Sequence, residues 1–227
     1  VKAREELSNV LPKAAPMTIS LSDAGKRYNR DWIFRHLTYT FEAGQSYAIT
    51  GPNGSGKSTL LQAIGGALHL NEGSLRLAFE NAQLSVENIY QYVSFSAPYL
   101  EVVEEMTAQE FLEFHSGFKP FLSTISVKDI IAIIGLEKAA HKQIRYYSSG
   151  MKQRVKLAQC IFSDVPVVLL DEPCTNLDAE GIALYQKLIV DYCRERTVIV
   201  SSNDEAEFGF CKERLHIMNY KQTRAVN

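Results

Sequence analysis

Apolar and polar positions alternate in short runs through the first third of the chain, then give way to helical spacing. Residues 19–22 read as a strand, Leu37, Tyr39 and Phe41 alternate across a second over 37–41, and residues 46–50 lead into a glycine-rich loop. A helix over about 58–65 follows. Alternation returns at Leu75, Leu77 and Phe79, and residues 89–95 read as another strand. In the middle, residues 107–115 and 127–134 carry apolar side chains at helical period, which predicts a helical insertion. Beyond Gly150, helices over 151–162 and 179–194 alternate with a wholly apolar strand over 165–170 and another buried strand over 198–201. Strands that are apolar throughout are buried on both faces, and their alternation with helices predicts a mainly parallel α/β sheet. The expected division is a leader over 1–16, an α/β core over 17–95 and 151–227, and a helical subdomain over 96–150.

With 46% hydrophobic and 22% charged residues among 227, the chain has the material for a packed core. Its 24 basic and 26 acidic residues leave a net charge of -2. A dedicated nucleic-acid binder carries a basic surplus, so no direct nucleic-acid binding is expected. Cys160, Cys174, Cys193 and Cys211 lack the paired short spacing of zinc sites and are expected as reduced, mostly buried thiols in the cytoplasm. No apolar run approaches the roughly 20 residues that span a bilayer, so a membrane, if one is involved, is crossed by another chain.

The segment Gly51-Pro52-Asn53-Gly54-Ser55-Gly56-Lys57-Ser58-Thr59 fits G-x-x-x-x-G-K-[ST] between an expected strand and an expected helix. Glycines let the backbone curl so that successive N–H groups face phosphate oxygens. Lys57 reaches the β- and γ-phosphates and Ser58 offers its hydroxyl to Mg²⁺. A second element, Val165 to Glu172, is an apolar strand that delivers Asp171 and Glu172 at its carboxyl end, where open α/β sheets bind ligands. Asp171 is placed to hold Mg²⁺, and Glu172 to orient or deprotonate a water attacking the γ-phosphate. Alone, such an acidic pair is as often a solvated loop.

Tyr147-Ser148-Ser149-Gly150-Met151-Lys152-Gln153-Arg154 resembles the signature segment of ABC ATPases, L-S-G-G-Q. Ser148 and Gly150 match, whereas Tyr147, Ser149 and Met151 replace Leu, Gly and Gln. The resemblance runs from about Met17 to Met218. It implies a P-loop NTPase of RecA-like core with an N-terminal antiparallel β part and a helical lobe, working as the ATP-hydrolysing subunit of an ABC transporter. It further implies a homodimer or a heterodimer with a second ABC ATPase, in which Ser148, Ser149 and Gly150 contact the γ-phosphate held by the opposite subunit. A transmembrane permease is the implied partner, with the chain on the cytoplasmic face of the membrane. Standing alone, the signature segment is also an ordinary N-capped helix. Thr175-Asn176-Leu177-Asp178 is similar to the family's D-loop, and Asp178 is equally an N-cap. Tyr28 lies where the family stacks an aromatic on adenine, with Trp32 the competing candidate.

Two departures bear on rate. The family's metal-sensing glutamine aligns with Ser96, and its strand-end histidine with Asn203, an amide that donates a hydrogen bond but carries no charge. Phe95, Tyr99 and Leu100 are candidates for either a docking groove or buried core, and Phe111, Phe114 and Phe118 are expected to be packing. A soluble ABC ATPase outside transport, or a slowly hydrolysing ATP-clamped dimer, is the alternative function. The absence of Asn-Lys-x-Asp disfavours a GTPase.

Overall fold

A computed structural model describes residues 17–79 and 82–221, so the expected leader over 1–16 lies outside the described residues. Two sheets share the chain. β1 (Met17–Tyr28) and β2 (Asp31–Phe41) form an antiparallel hairpin, with Ile19 opposite Phe41 and Tyr28 opposite Asp31. Both strands run well past the stretches their alternation predicts. Register shifts after Leu21, Ala24 and Lys26 interrupt the period of two, and Asp23 and His36 sit at positive φ of 48° and 56°. The alternation is lost there while the pairing continues.

β3 (Ser46–Thr50) leads through the phosphate loop into α1 (Lys57–Ile64). β4 (Glu72–Phe79) and β5 (Ala82–Leu84) complete the antiparallel sheet, whose order is β2-β1-β4-β5. The strand expected over 89–95 is shorter than its pattern. Residues Val86–Gln91 form a 3-10 turn, and only β6 (Val93–Ser96) is extended. Ile89 is buried, yet against Gly66 rather than in a strand, where a Cβ on the glycine would lie 2.3 Å from its Cγ2.

The lobe that follows carries α2 (Ala108–Phe118) and α3 (Val127–Ile133). Each opens on a reciprocal capping box, Thr107 with Glu110 and Ser126 with Asp129. Of the three phenylalanines expected as packing, only Phe111 is buried. Phe114 and Phe118 are 52% and 77% exposed and meet edge to face, because they occupy the outer side of α2. α4 (Ser149–Ile161), β7 (Val167–Asp171), α5 (Ala179–Tyr192), β8 (Thr197–Ser201), the short α6 (Glu205–Phe208) and β9 (Glu213–His216) complete the second sheet and its cover. That sheet is parallel, in the order β6-β7-β8-β3-β9.

Alternation along the buried strands sorts the core into two clusters. Leu169 and Ile199 join Leu60, Leu61 and Ile64 of α1 beneath the antiparallel sheet. Val168, Leu170 and Val200 face the other way, with Val155 and Ile161 of α4, Leu188 of α5, and the lobe. The parallel sheet therefore separates α1 from α4 and α5. On the α4 side lies a buried guanidinium, that of Arg196. It donates to the carbonyls of Ser163 at 2.9 Å, Ile161 at 2.6 Å and Tyr192 at 3.0 Å, the trailing ends of α4 and α5. All four cysteines are free and buried.

Candidate nucleotide site

The loop between β3 and α1 takes its shape from glycines that no other residue could replace without strain. Gly51, Gly54 and Gly56 have φ of 149°, 72° and 105°. A Cβ on Gly56 would sit 2.3 Å from Ile33 Cγ2, and one on Gly51 would sit 2.9 Å from Ser55 Oγ. Gly56 caps α1 without a side-chain bond, which leaves the first-turn N–H groups of the helix free for an anion. Lys57 is buried, and its ammonium donates to the carbonyl of Gly51 at 2.8 Å, so the amine arches back over the loop. Asn53 and Thr59 border this loop, Asn53 exposed and Thr59 half-buried.

β7 ends at Asp171, which is 2% exposed and pairs in register with Ser201 of β8. Its Oδ1 has no hydrogen-bond partner, and neither does the buried Ser201 Oγ. Burial pushes the Asp171 carboxyl up, Glu172 adding to the rise, while the neighbouring Ser58 and Ser201 hydroxyls and the Lys57 charge pull it down. An unpartnered buried carboxylate oxygen beside a serine hydroxyl suits a hard cation that takes one carboxylate and completes its shell with phosphate and water oxygens, as Mg²⁺ does. Among the described residues no group of three or more His, Cys, Asp and Glu side chains could hold a metal by itself.

Glu172 follows in a left-handed conformation at φ 43°, before Pro173, where the residue preceding a proline favours extended backbone. The loop is tied from outside as well as by its own turns. Glu172 N–H donates to Ser201 O at 2.9 Å, Gln153 Nε2 to Pro173 O at 2.7 Å, and Cys174 N–H to Glu207 Oε1 at 2.7 Å. Neither Gln153 nor Glu207 was singled out by the sequence. Both are buried polar residues on helices, a signal that needs the fold to read.

Asn203, just past β8, reaches the phosphate loop directly. Its Oδ1 accepts from Gly51 N–H at 3.2 Å and its Nδ2 donates to Asn53 Oδ1 at 3.1 Å. Ser96 does not join this cluster. Register pairs it with Leu170, and Ser94, two residues before, accepts from Cys160 of α4 at 3.4 Å, so alternation turns Ser96 away from Asp171. Ser96 is 2% exposed, and its Oγ, like Asp171 Oδ1, is buried without a hydrogen-bond partner. Tyr99, three residues on, comes closer. Its hydroxyl accepts from Gln62 Nε2 of α1 at 2.7 Å, and burial followed by the Asp171 charge pushes the phenol up to about 12.

Ser148 caps α4 by accepting from Met151 N–H at 3.2 Å, and Ser149 beside it is exposed. Gly150 lies against the next loop, where a Cβ would be 3.1 Å from Asn176 O. Tyr147 is buried and donates to Ala139 O at 2.8 Å. Asp178 caps α5 through Gly181 N–H at 2.8 Å. These residues stand on the opposite face of the parallel sheet from α1. At the hairpin tip Tyr28 is 47% exposed, with Lys26 Nζ 5.3 Å from its ring centre. Trp32 is already taken up between Arg27 and Arg35, at 5.4 and 4.4 Å.

A glycine-rich loop ahead of a helix, facing an acidic strand end of a parallel sheet, defines a P-loop nucleotide-binding protein. The profile of the ABC transporter family matches residues 34–175. The chain belongs to that family and is an ATP-binding ATPase. It is 30% identical over 190 residues, 83% of this chain and 87% of the relative, to the uncharacterized ABC transporter ATP-binding protein YybJ of Bacillus subtilis (strain 168). It is 27% identical over 194 residues to the cytochrome c biogenesis ATP-binding export protein CcmA of Agrobacterium fabrum, covering 83% and 90% of the two chains. Its fold matches the ATP-binding cassette MJ0796, solved as a dimer in a post-hydrolysis state with ADP and Pi. The TM-score there is 0.75 at 22% identity, over 88% of this chain and 94% of that one.

Proposed function

We propose that this ATPase works as a pair of nucleotide-binding subunits that close on ATP and drive a separate membrane-spanning permease from its cytoplasmic face. The observation that carries the reading is the separation of two half-sites within one chain. The phosphate loop lies on the α1 side of the sheet, while Ser148, Ser149, Gly150 and Asp178 are offered on the other, so each chain needs a second to complete a site. Among the described residues no helix is long and apolar enough to cross a membrane.

In this reading the base stacks on Tyr28, and the amides of Gly51, Asn53, Gly54, Ser55, Gly56, Lys57, Ser58 and Thr59 line the phosphates. Lys57 swings from the Gly51 carbonyl to the β- and γ-phosphate oxygens. The Ser58 hydroxyl and Asp171 would hold Mg²⁺, which supplies charge neutralisation at those oxygens when bound. Glu172 takes the proton of the attacking water, and Asn203 donates a hydrogen bond where charge develops on the γ-phosphate. Ser148 and Gly150 of the second chain close the site over the same phosphate.

Glu172→Gln tests this directly. The variant retains ATP binding, loses turnover and elutes as a dimer when ATP is present. Unchanged hydrolysis removes Glu172 from the catalytic role, and a monomer in ATP removes the paired site. Recovery of the native chain from membranes with a multi-span protein supports the transport step, whereas association only with ribosomes or DNA overturns it.

A further inference from the structure

The loop that carries Glu172 is strained, and its own turn bonds, Thr175 N–H to Glu172 O at 3.2 Å and Leu177 N–H to Cys174 O at 2.9 Å, are supplemented by ties from outside. Glu172 and Asn176 both have positive φ, at 43° and 66°, and the first precedes a proline. A non-glycine residue persists in such a conformation only where its surroundings over-determine it. Two buried side chains do so here, one on each side of the Pro173–Cys174 bond. Gln153 of α4 donates to the Pro173 carbonyl, and the Glu207 carboxylate of α6 accepts from the Cys174 amide.

Glu207 is the more telling of the two. It is 5% exposed, and α6 spans only four residues, too short to hold a carboxylate in place alone. Its position is fixed by α5, where the fully buried Tyr185 hydroxyl donates to the Glu207 carbonyl at 2.8 Å and Gln186 Nε2 to the Ala206 carbonyl at 2.9 Å. Four residues before it, Asn203 is bonded to Gly51 of the phosphate loop. The segment from Asn203 to Glu207 thus has one end on the phosphate loop and the other on the loop of Glu172.

We infer that Glu207 is a positioning residue for hydrolysis: its carboxylate pins the Cys174 amide and holds Glu172 in its left-handed conformation. The inference rests on the role of Glu172 proposed above. It assigns Glu207 no contact with nucleotide, metal or water.

The test uses the whole chain and the variants Glu207→Ala and Glu207→Gln, the second of which keeps an oxygen able to accept from Cys174. Amide exchange is read for residues 172–178 and 51–59, beside ATP affinity and turnover. Glu207→Ala speeds exchange over 172–178 by roughly tenfold, the scale of one buried hydrogen bond, and leaves 51–59 and the ATP affinity unchanged. Its kcat falls about 10²-fold, as a displaced catalytic group allows, and Glu207→Gln restores most of it. Unchanged exchange over 172–178, or an equal loss of ATP affinity and kcat, overturns the inference, and so does a Glu207→Gln variant as slow as Glu207→Ala. Failure of the underlying reading looks different: Glu172→Gln then hydrolyses ATP at the parent rate, while exchange over 172–178 still reports the hold of Glu207.

Discussion

The phosphate loop and the loop from Glu172 to Asp178 both sit at the carboxyl ends of strands in one parallel sheet, and they are built in opposite ways. The first is held largely by itself. Three glycines set its curl, Ser55 N–H donates to Pro52 O, and Lys57 bonds to the carbonyl of Gly51, six residues away. The second adds to its own turn bonds, Thr175 N–H to Glu172 O and Leu177 N–H to Cys174 O, ties from residues far off in sequence, Gln153 from one helix and Glu207 from another, across separations of 20 and 33 residues. A loop shaped mainly by its own residues, with Asn203 as a tie from outside, depends less on distant elements. A loop held by two helices moves when they move, which suits the part of an ATPase that must answer to a partner.

The contrast is open to attack at either loop. The largest effect is expected at the self-supported one. Gly56→Ala places a Cβ where Ile33 already stands, at a φ of 105°, and distorts the run of amides offered to phosphate. Loss of one or two such bonds to a charged group weakens ATP binding by roughly 10²-fold, measured by titration with a fluorescent analogue. An affinity within threefold of the parent would show that the loop tolerates what its geometry forbids. A smaller change is expected where the two regions meet. Asn203→His supplies a donor that can carry charge, and turnover is expected to rise about tenfold, with a new dependence on pH near neutrality. A flat response would mean that the Asn203 amide already suffices.

The smallest effect belongs to the lobe, away from both loops. Burial, with Lys119 adding to it, pushes His115 down to about 4 from an ordinary value of 6.5. Its Nε2 lies 3.0 Å from Ser163 Oγ, which itself donates to Gln159 O at 2.6 Å, so the imidazole acts as the donor through that nitrogen. Between these two values the unfolded chain takes up a proton that the folded chain does not. Stability therefore falls as pH drops from 6.5 towards 4. His115 is partly exposed, so solvent screening limits the effect to a few degrees in thermal midpoint. His115→Gln is expected to flatten that acid limb, and an unchanged slope would place the titration elsewhere.

The same contrast decides what could be read before the fold was known. Gly51 to Thr59 is legible because its chemistry is local, and the apolar run into Asp171 and Glu172 because a buried parallel strand has few other appearances. Ser148 and Asp178 as helix caps are legible for the same reason. Ser96 is a candidate by resemblance alone, and the strand's alternation decides which face its hydroxyl takes. The 3-10 turn over Val86–Gln91 misled because a buried Ile89 looks the same in a turn as in a strand. Phe114 and Phe118 share helical spacing with Phe111, and only packing against neighbours distinguishes the inner side of α2 from the outer. Gln153, Tyr99 and Glu207 act through partners 20 to 37 residues away, and no local pattern encodes such pairs.

Arg196 has a consequence of another kind. Its guanidinium is 6% exposed and takes its partners from carbonyls, the trailing ends of α4 and α5. Each helix terminus carries about half a negative elementary charge, so two together come close to neutralising one cation. The pair of helices is thus soldered at the rear by electrostatics that neither supplies alone. Their leading ends are the caps Ser148 and Asp178, so both caps stand on one pair of helices joined at the rear.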